Sequence, residues 1–142
     1  MSELFDLSEK VAVVTGGAGL IGSTLCEGLA EHGATVVLVD IDADTAEDVA
    51  HSIDGEVVVR SLDINSEVAV EALFDSVVDS FGSVDILVNS AYPRNENYGR
   101  AYEDVSVTDW EENIRLNLNS YYLTCHKASE IMKDQGGGNI IN

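Results

Sequence analysis

The sequence predicts an α/β fold in which a doubly wound parallel sheet carries helices on both faces. Five apolar runs recur along the 142 residues, and an amphipathic segment follows each of the first four. The runs are continuous rather than alternating, which is typical of strands buried on both faces. They cover residues 11–14, 35–39, 56–59, 84–88 and 139–141. Right-handed crossovers between such strands give the order 3-2-1-4-5.

Four segments between the strands have the periodicity of amphipathic helices. They cover residues 20–32, 43–52, 66–81 and 108–134. Three of them begin near a side chain that can accept hydrogen bonds from first-turn amides, namely Asp42, Ser66 and Thr108. Since strand and helix alternate throughout, residues 1–142 are expected to form a single domain whose sheet stops after its fifth strand.

The connection between the first strand and the first helix is rich in glycine. It reads Thr15-Gly16-Gly17-Ala18-Gly19-Leu20-Ile21-Gly22, and Gly17, Gly19 and Gly22 match the G-x-G-x-x-G pattern. Glycines at this spacing allow a tight turn, close approach of backbone to phosphate, and close packing of helix on strand. A strand, a glycine turn and a helix N-terminus together predict a dinucleotide pyrophosphate site.

Asp40 ends the second apolar run, at the distance from the glycine turn expected for an acid that binds a ribose. A carboxylate there can accept hydrogen bonds from both ribose hydroxyls of adenosine. The 2′-phosphate of NADP would meet like charge, with no neighbouring Arg or Lys. NAD is therefore predicted in preference to NADP. The alternative is a glycine turn and a helix-capping Asp with no ligand.

The chain is strongly acidic, with 26 Asp and Glu against seven Lys and Arg and a net charge of −19. This charge would repel nucleic acid and anionic membranes. The acidic residues spread from Glu3 to Asp134, which favours a halophile whose salt-rich cytosol screens their repulsion. An acidic face for a basic partner would need a cluster, whereas unbroken acidic runs such as Glu111-Glu112 are short.

Cysteine usage and the N-terminus indicate a soluble cytoplasmic protein. Cys26 and Cys125 are too few and too far apart for a disulfide framework or a metal site, and we expect two buried thiols and no metal. The first residues lack a basic start followed by an apolar core, and no apolar stretch approaches membrane-spanning length.

Several of these residues together resemble the short-chain dehydrogenase/reductase family. The resemblance covers the whole chain and includes its Rossmann-like strand order. Beside the glycine turn, Asp63-Ile64 is similar to the pair that contacts adenine in the family. Asn89-Ser90-Ala91 is similar to the family's Asn-Asn-Ala-Gly motif, which stabilises the sheet and flanks the cofactor. Asn117 matches the Asn of the catalytic tetrad, which kinks its helix and holds the active-site Lys through water.

The sequence departs from the family pattern in its motifs. Leu20 stands where the common short form has Gly or Ala, and the turn also matches T-G-x-x-G-x-x-G of the extended form, so the glycines leave the branch open. Asn89 and Asn117 in their contexts favour the short form. Ser90 and Tyr92 replace the Asn and Gly of the motif after strand four.

The family's catalytic Ser and Tyr-x-x-x-Lys are absent from this chain. In the family they follow the fifth strand, where Tyr transfers a proton during hydride transfer and Lys lowers the pKa of that Tyr. The sequence stops at Asn142, and none of its five Tyr residues is followed by Lys four positions later.

The resemblance implies an NAD-dependent oxidoreductase that acts on a hydroxyl or keto group of a small polar substrate. The implied residues are Gly16, Gly19, Ile21 and Gly22 at the pyrophosphate, Asp40 at the ribose, Asp63 and Ile64 at adenine, Asn89 and Ala91 near the inner ribose, and Asn117 in the proton relay. Because the long helix packs across subunits in the family, the full-length protein is expected to be a homo-oligomer. A non-catalytic NAD-binding module or a truncated gene product is the alternative, and a remnant that neither binds nor folds well is a third.

The loop after strand four carries Arg94 and Arg100, two of only seven cations. They can bind a phosphate or a carboxylate, and the alternative is local pairing with Glu96, Glu103 or Asp104. The segment 92–99 also resembles family members of surface-sugar and flagellin-glycan modification, which favours a sugar-derived substrate.

The intact mass of the protein purified from its native cells separates the first two hypotheses. The dehydrogenase hypothesis predicts a mass well above the 15.2 kDa of this sequence, with Ser and Tyr-x-x-x-Lys in the additional part. A mass of 15.2 kDa would instead favour the hypothesis of an NAD-binding module or a decaying gene product.

Overall fold

The computed structural model describes residues 5–142 and confirms the predicted five-stranded parallel sheet in the order 3-2-1-4-5. Its strands are β1 (Val11–Thr15), β2 (Thr35–Asp40), β3 (Val57–Ser61), β4 (Ile86–Asn89) and β5 (Asn139–Ile141). Val13 lies opposite Val37 of β2 and Leu87 of β4, which places β1 at the centre of the sheet. The order therefore reverses beside β1, where the carboxyl ends of β1 and β4 face a common space.

Alternate residues of the central strands pack into two separate apolar cores, one on each face of the sheet. The structure's main helices are α1 (Leu20–Glu31), α2 (Ala43–Ser52), α3 (Glu67–Phe81), α4 (Val107–Ile114) and α5 (Ser120–Gln135). Val13 of β1 packs with Phe74 of α3 and Ala128 of α5, whereas Val14 packs on the opposite face with Cys26 of α1 and Ala46 of α2. Burial on both faces explains why these strands are continuous apolar runs.

Two of the three predicted helix caps are confirmed. The Asp42 side chain accepts a hydrogen bond from the Thr45 amide at the start of α2, and the Ser66 side chain accepts one from the Ala69 amide at the start of α3. The third prediction is wrong, because α4 is capped by Ser106 rather than Thr108. Ser106 and Asp109 form a reciprocal capping box, in which the Asp109 side chain three residues after the cap accepts from the Ser106 amide.

The predicted single helix over 108–134 is two helices joined by a π-helical segment, Arg115–Asn119. Asn117 lies within this segment, and its Nδ2 donates to the Asn113 carbonyl (2.9 Å) and the Pro93 carbonyl (3.0 Å). A local bulge of this kind leaves the amphipathic pattern on both sides intact, so periodicity alone does not detect it.

The expectation of two buried thiols is half right. Cys26 is fully buried, and burial raises the pKa of its thiol to about 12. Cys125 is half-buried and lies 3.3 Å from Nδ2 of Asn89. In the described part of the chain no helix is both long enough and apolar enough to cross a membrane.

Asp85 connects the start of β1 to the start of β4 at the amino-terminal edge of the sheet. Its carboxylate accepts hydrogen bonds from the Val11 amide (3.0 Å), the Ser83 hydroxyl (2.8 Å) and the Lys10 ammonium (3.2 Å). Partial burial by itself would raise the pKa of Asp85, but these donors together hold it below its ordinary value. The ionised carboxylate therefore stabilises the fold.

We expect Asp85→Asn to lower the free energy of unfolding at pH 7 by about 1 kcal/mol or more, since it weakens charge-assisted hydrogen bonds. A group with a lowered folded-state pKa stabilises above its unfolded value of about 3.9, and this contribution disappears as the pH falls through the folded-state pKa. The difference between wild type and variant in urea unfolding should thus shrink below about pH 4.

Asp75→Asn is the matched control for this experiment. Asp75 pairs with Lys127 at 3.2 Å, but its side chain is 67% exposed, so the variant should change stability by less than about 1 kcal/mol. Equal effects of the two variants would contradict the structural role of Asp85.

Candidate dinucleotide-binding site

A crevice of about 550 Å³ lies along the carboxyl edge of the sheet, where four strands end. It is open to the loops that follow β1, β2, β3 and β4. Eight of the ten predicted site residues line it, namely Gly16, Gly19, Ile21, Gly22, Asp40, Asp63, Ile64 and Ala91. The crevice is at the point where the strand order reverses, which is where doubly wound sheets bind ligands.

The glycine turn packs too closely for any side chain at two positions. Gly16 has φ = +66°, and a Cβ there would lie 2.6 Å from the Cα of Ala91. A Cβ on Gly22 would overlap the carbonyl oxygen of Gly16. The first turn of α1 therefore lies directly on the turn, and the turn lies directly on the loop after β4.

Helix α1 begins without a side-chain cap. Gly19 is the N-cap residue, and the first backbone bond of the helix runs from the Ser23 amide to the Gly19 carbonyl (2.9 Å). Between residues 5 and 142 the amides of Leu20, Ile21 and Gly22 have no acceptor. These N–H groups and the positive end of the helix dipole suit a phosphate oxygen at the crevice.

Asp40 is fixed by two backbone amides at the end of β2. The Ala18 amide donates to its Oδ2 (3.0 Å), and the Asp42 amide donates to its Oδ1 (3.1 Å). A carboxylate has about four lone-pair positions, so both oxygens can still accept from a ligand. The bond from Ala18 also couples the carboxylate to the glycine turn.

Asp63 and Ile64 form the far wall of the crevice after β3. Oδ1 of Asp63 accepts a hydrogen bond from the Asn65 amide (2.9 Å), which fixes the turn into α3. Ile64 is buried and joins the apolar core on the α3 side of the sheet. With Leu62, these residues present an apolar surface with one carboxylate at its edge.

Asn89 lies beneath the crevice and does not line it. Its side chain is buried, with Oδ1 accepting from the hydroxyl of Thr124 (2.8 Å) and Nδ2 donating to Oδ1 of Asn142 (2.8 Å). The Thr15 hydroxyl is a further donor at 3.5 Å. Asn89 therefore connects β1, β4, α5 and the end of the chain, and it positions the strand ends from below.

Asn117 is also outside the crevice, on the π-helical segment behind the loop that follows β4. Its Nδ2 holds the Pro93 carbonyl, and Pro93 lines the crevice. Its Oδ1 is buried and accepts no hydrogen bond within the described residues. A buried acceptor without a donor is costly, so this oxygen suits a water or a polar side chain.

The loop after β4 is anchored to α4 by several polar contacts. The Asn95 side chain donates to the Asp109 carbonyl (3.3 Å), and the Asn97 side chain donates to Oδ1 of Asp109 (2.5 Å). Hydrogen bonds from the Ser106 hydroxyl and from Asn97 lower the pKa of Asp109. The Tyr121 hydroxyl donates to the Ala91 carbonyl (2.9 Å), which fixes the start of the loop.

Several residues that line the crevice have no site assignment from the sequence. Leu20 exposes 94% of its surface beside the crevice, and Tyr92 and Pro93 lie on the opposite side, in the loop after β4. Their positions directly after β1 and β4 are the available signal, since loops at that edge of the sheet surround the ligand crevice.

The comparisons with known proteins agree with this architecture. A family model described as short chain dehydrogenase matches residues 10–142. The chain is 35% identical over 141 residues to the D-threitol dehydrogenase of Mycolicibacterium smegmatis, covering 97% of this chain and 53% of that protein. It is 35% identical over 145 residues to the Rhizobium meliloti protein named "Probable galactose dehydrogenase GalD". That match covers 99% of this chain and 56% of that protein.

A solved structure of a short-chain type dehydrogenase/reductase from Mycobacterium marinum matches with a TM-score of 0.88 at 29% identity. The match covers 99% of this chain and 58% of that chain. The chain thus spans about half the length of the curated relatives that it matches.

Gly22→Ala should destabilise the protein by roughly 1–3 kcal/mol, because the added methyl group overlaps the Gly16 carbonyl and forces the turn to move. Gly28→Ala is the control in the same helix, since a Cβ there meets nothing within 4 Å. It should be neutral or raise stability by up to about 1 kcal/mol. Urea unfolding of both variants tests the close approach, and equal stability would contradict it.

Proposed function

We propose that this chain, which belongs to the short-chain dehydrogenase family, is the NAD-binding domain of an oxidoreductase. The observation that carries the proposal is the crevice in which an uncapped helix N-terminus and the Asp40 carboxylate line a single space. Phosphate and ribose are the groups that these two features recognise.

The residues present fit a dinucleotide in shape. Gly16 and Gly22 leave no room for side chains, so the backbone of the turn itself forms the surface that a diphosphate would approach. The free amides of Leu20, Ile21 and Gly22 can donate to its oxygens. Asp63 and Ile64 line the crevice after β3 and are assigned to adenine, and Ala91 lines it after β4 and is assigned to the inner ribose.

A preference for NAD over NADP is supported by the position of Asp40. Its two backbone donors hold the carboxylate at the end of β2, where it can accept from ribose hydroxyls. A 2′-phosphate at that place would be repelled by the ionised carboxylate. Arg94 is the one Lys or Arg among the residues that line the crevice, and it belongs to the loop on the other side of the glycine turn.

The cofactor, when bound, supplies hydride exchange with a carbon that bears a hydroxyl or keto group. This chain's residues bind and orient it, and Asn117 is proposed to contribute the proton relay. Support for this role is that its buried Oδ1 has no donor within residues 5–142, so a water there could connect it to a Lys. The Ser and the Tyr-x-x-x-Lys of the family are not in this sequence, so the activity is proposed for the whole protein.

We further propose a small polar substrate of the polyol or sugar type. Support comes from two relatives, which are named "D-threitol dehydrogenase" and "Probable galactose dehydrogenase GalD". The proposed setting is the cytoplasm of a halophile, supported by a net charge of −19 with acidic residues spread over the chain. We also propose that the full-length protein is a homo-oligomer.

Asp40→Ala should weaken NAD binding about tenfold, since it removes charge-assisted hydrogen bonds to the ribose. The ratio of the dissociation constants for NADP and NAD should also fall, because the repulsion of the 2′-phosphate disappears. Both constants can be measured by isothermal titration calorimetry in potassium chloride.

Two controls separate the ribose contact from other effects. Asp40→Asn keeps the size of the side chain and one acceptor oxygen, so the fold should be unchanged. The ratio of its dissociation constants for NADP and NAD should fall. Asp42→Asn removes the same charge from a residue that caps α2 outside the crevice, and it should leave the ratio unchanged. An unchanged NAD affinity in Asp40→Ala would defeat the ribose assignment.

A further inference from the structure

Arg94 is the only cationic side chain among the residues that line the crevice, which also contains Asp40 and Asp63. It is exposed, in a protein with only seven Lys and Arg. In so acidic a chain, many carboxylates could pair with an exposed Arg. The groups that the guanidinium contacts therefore show whether its charge is already paired.

The guanidinium of Arg94 contacts aromatic rings instead. Its Cζ lies 4.7 Å from the ring centroid of Tyr98 and 5.6 Å from that of Tyr92. The two rings pack edge to face, with centroids 5.8 Å apart. Cation–π contacts with two tyrosines restrict the guanidinium, but they supply no oxygen acceptor for its five N–H donors.

Pairing of Arg94 with Glu96, Glu103 or Asp104, the alternative expected from the sequence, is not found between residues 5 and 142. The ion pairs there are Lys10 with Asp85 and Lys127 with Asp75. Arg94 donates no hydrogen bond to another described residue. Its charge and its donors are therefore available to a ligand in the crevice.

The backbone on both sides of Arg94 is held in place. The Pro93 carbonyl accepts from Asn117, and the Asn95 amide donates to Oδ1 of Asn113 (3.4 Å). The Asn95 side chain also donates to the Asp109 carbonyl and to Glu112. The π-helical segment and α4 thus fix the point from which the Arg94 side chain reaches the crevice. This arrangement reduces the entropy lost when a ligand binds.

We propose that Arg94, held by Tyr92 and Tyr98, is an oxyanion-binding residue of the crevice that takes a phosphate or carboxylate group. This inference rests on the proposed function, because it assigns Arg94 to the same crevice as the dinucleotide. Two ligands can bring such a group there. One is the diphosphate of the cofactor, and the other is an anionic substituent of the substrate. A planar guanidinium can bind either by two parallel hydrogen bonds.

The test compares wild type with Arg94→Met in a phosphate-free buffer at constant ionic strength. Calorimetric titrations use NAD, adenosine and inorganic phosphate, and phosphate is titrated both without NAD and into NAD-saturated protein. If Arg94 binds the diphosphate, the variant should bind NAD about tenfold or more weakly than wild type. Its affinity for adenosine should be unchanged. If it binds the substrate's anion, NAD affinity should be unchanged. Phosphate binding to the NAD-saturated wild type should then be lost in the variant.

Arg100→Met is the matched control, since it removes one arginine of the same loop that does not line the crevice. It should bind every probe as wild type does. Arg94→Lys keeps the charge without the planar fork, and it should bind the oxyanion more weakly than wild type and more tightly than Arg94→Met.

The proposal is overturned if Arg94→Met and Arg100→Met bind both NAD and phosphate as wild type does, or if wild type binds neither. Failure of the proposed function has a different result. Wild type would then not bind NAD, while phosphate alone would still bind in a manner that depends on Arg94.

Discussion

The close approach between the glycine turn and its surroundings is the constraint on which the crevice depends. Gly16, at φ = +66°, lies against Ala91, and Gly22 lies against the Gly16 carbonyl, so β1, α1 and the loop after β4 meet without intervening side chains. This contact brings the N-terminus of α1 to the carboxyl edge of the sheet. The amides of its first turn then remain available, because Gly19 provides no side-chain cap.

The opposite side of the crevice is held from behind by polar contacts rather than by apolar packing. Tyr121 holds the Ala91 carbonyl, Asn117 holds the Pro93 carbonyl, and Asp109 receives the Asn97 side chain. Asn89 fixes the strand ends below, through Thr124 and the end of the chain. A mobile loop after β4 would leave one side of the crevice undefined. These bonds therefore link the π-helical segment and α5 to the shape of the site.

Charge is distributed unevenly around this site. The chain carries −19 overall, and the crevice has carboxylates at the ends of β2 and β3 but a guanidinium on the loop after β4. A ligand with hydroxyl groups at one end and an oxyanion nearer the other would match this arrangement. The guanidinium of Arg94 contacts two tyrosine rings and forms no ion pair with a carboxylate between residues 5 and 142.

The residues alone predict the sheet order, the glycine turn, Asp40 at the end of β2, and the caps at Asp42 and Ser66. These features depend on short patterns, namely apolar runs, glycine spacing and side chains that bond amides a few residues away. The folded structure was needed to show that Asn89 lies beneath the crevice, that the interruption of the last long helix is a π-helical segment, and that Arg94 contacts two tyrosines. The first two depend on contacts such as Asn117 with Pro93 and Thr124 with Asn89, which join residues 24 and 35 positions apart. No local pattern encodes contacts at such separations, because they form only when the sheet brings those segments together.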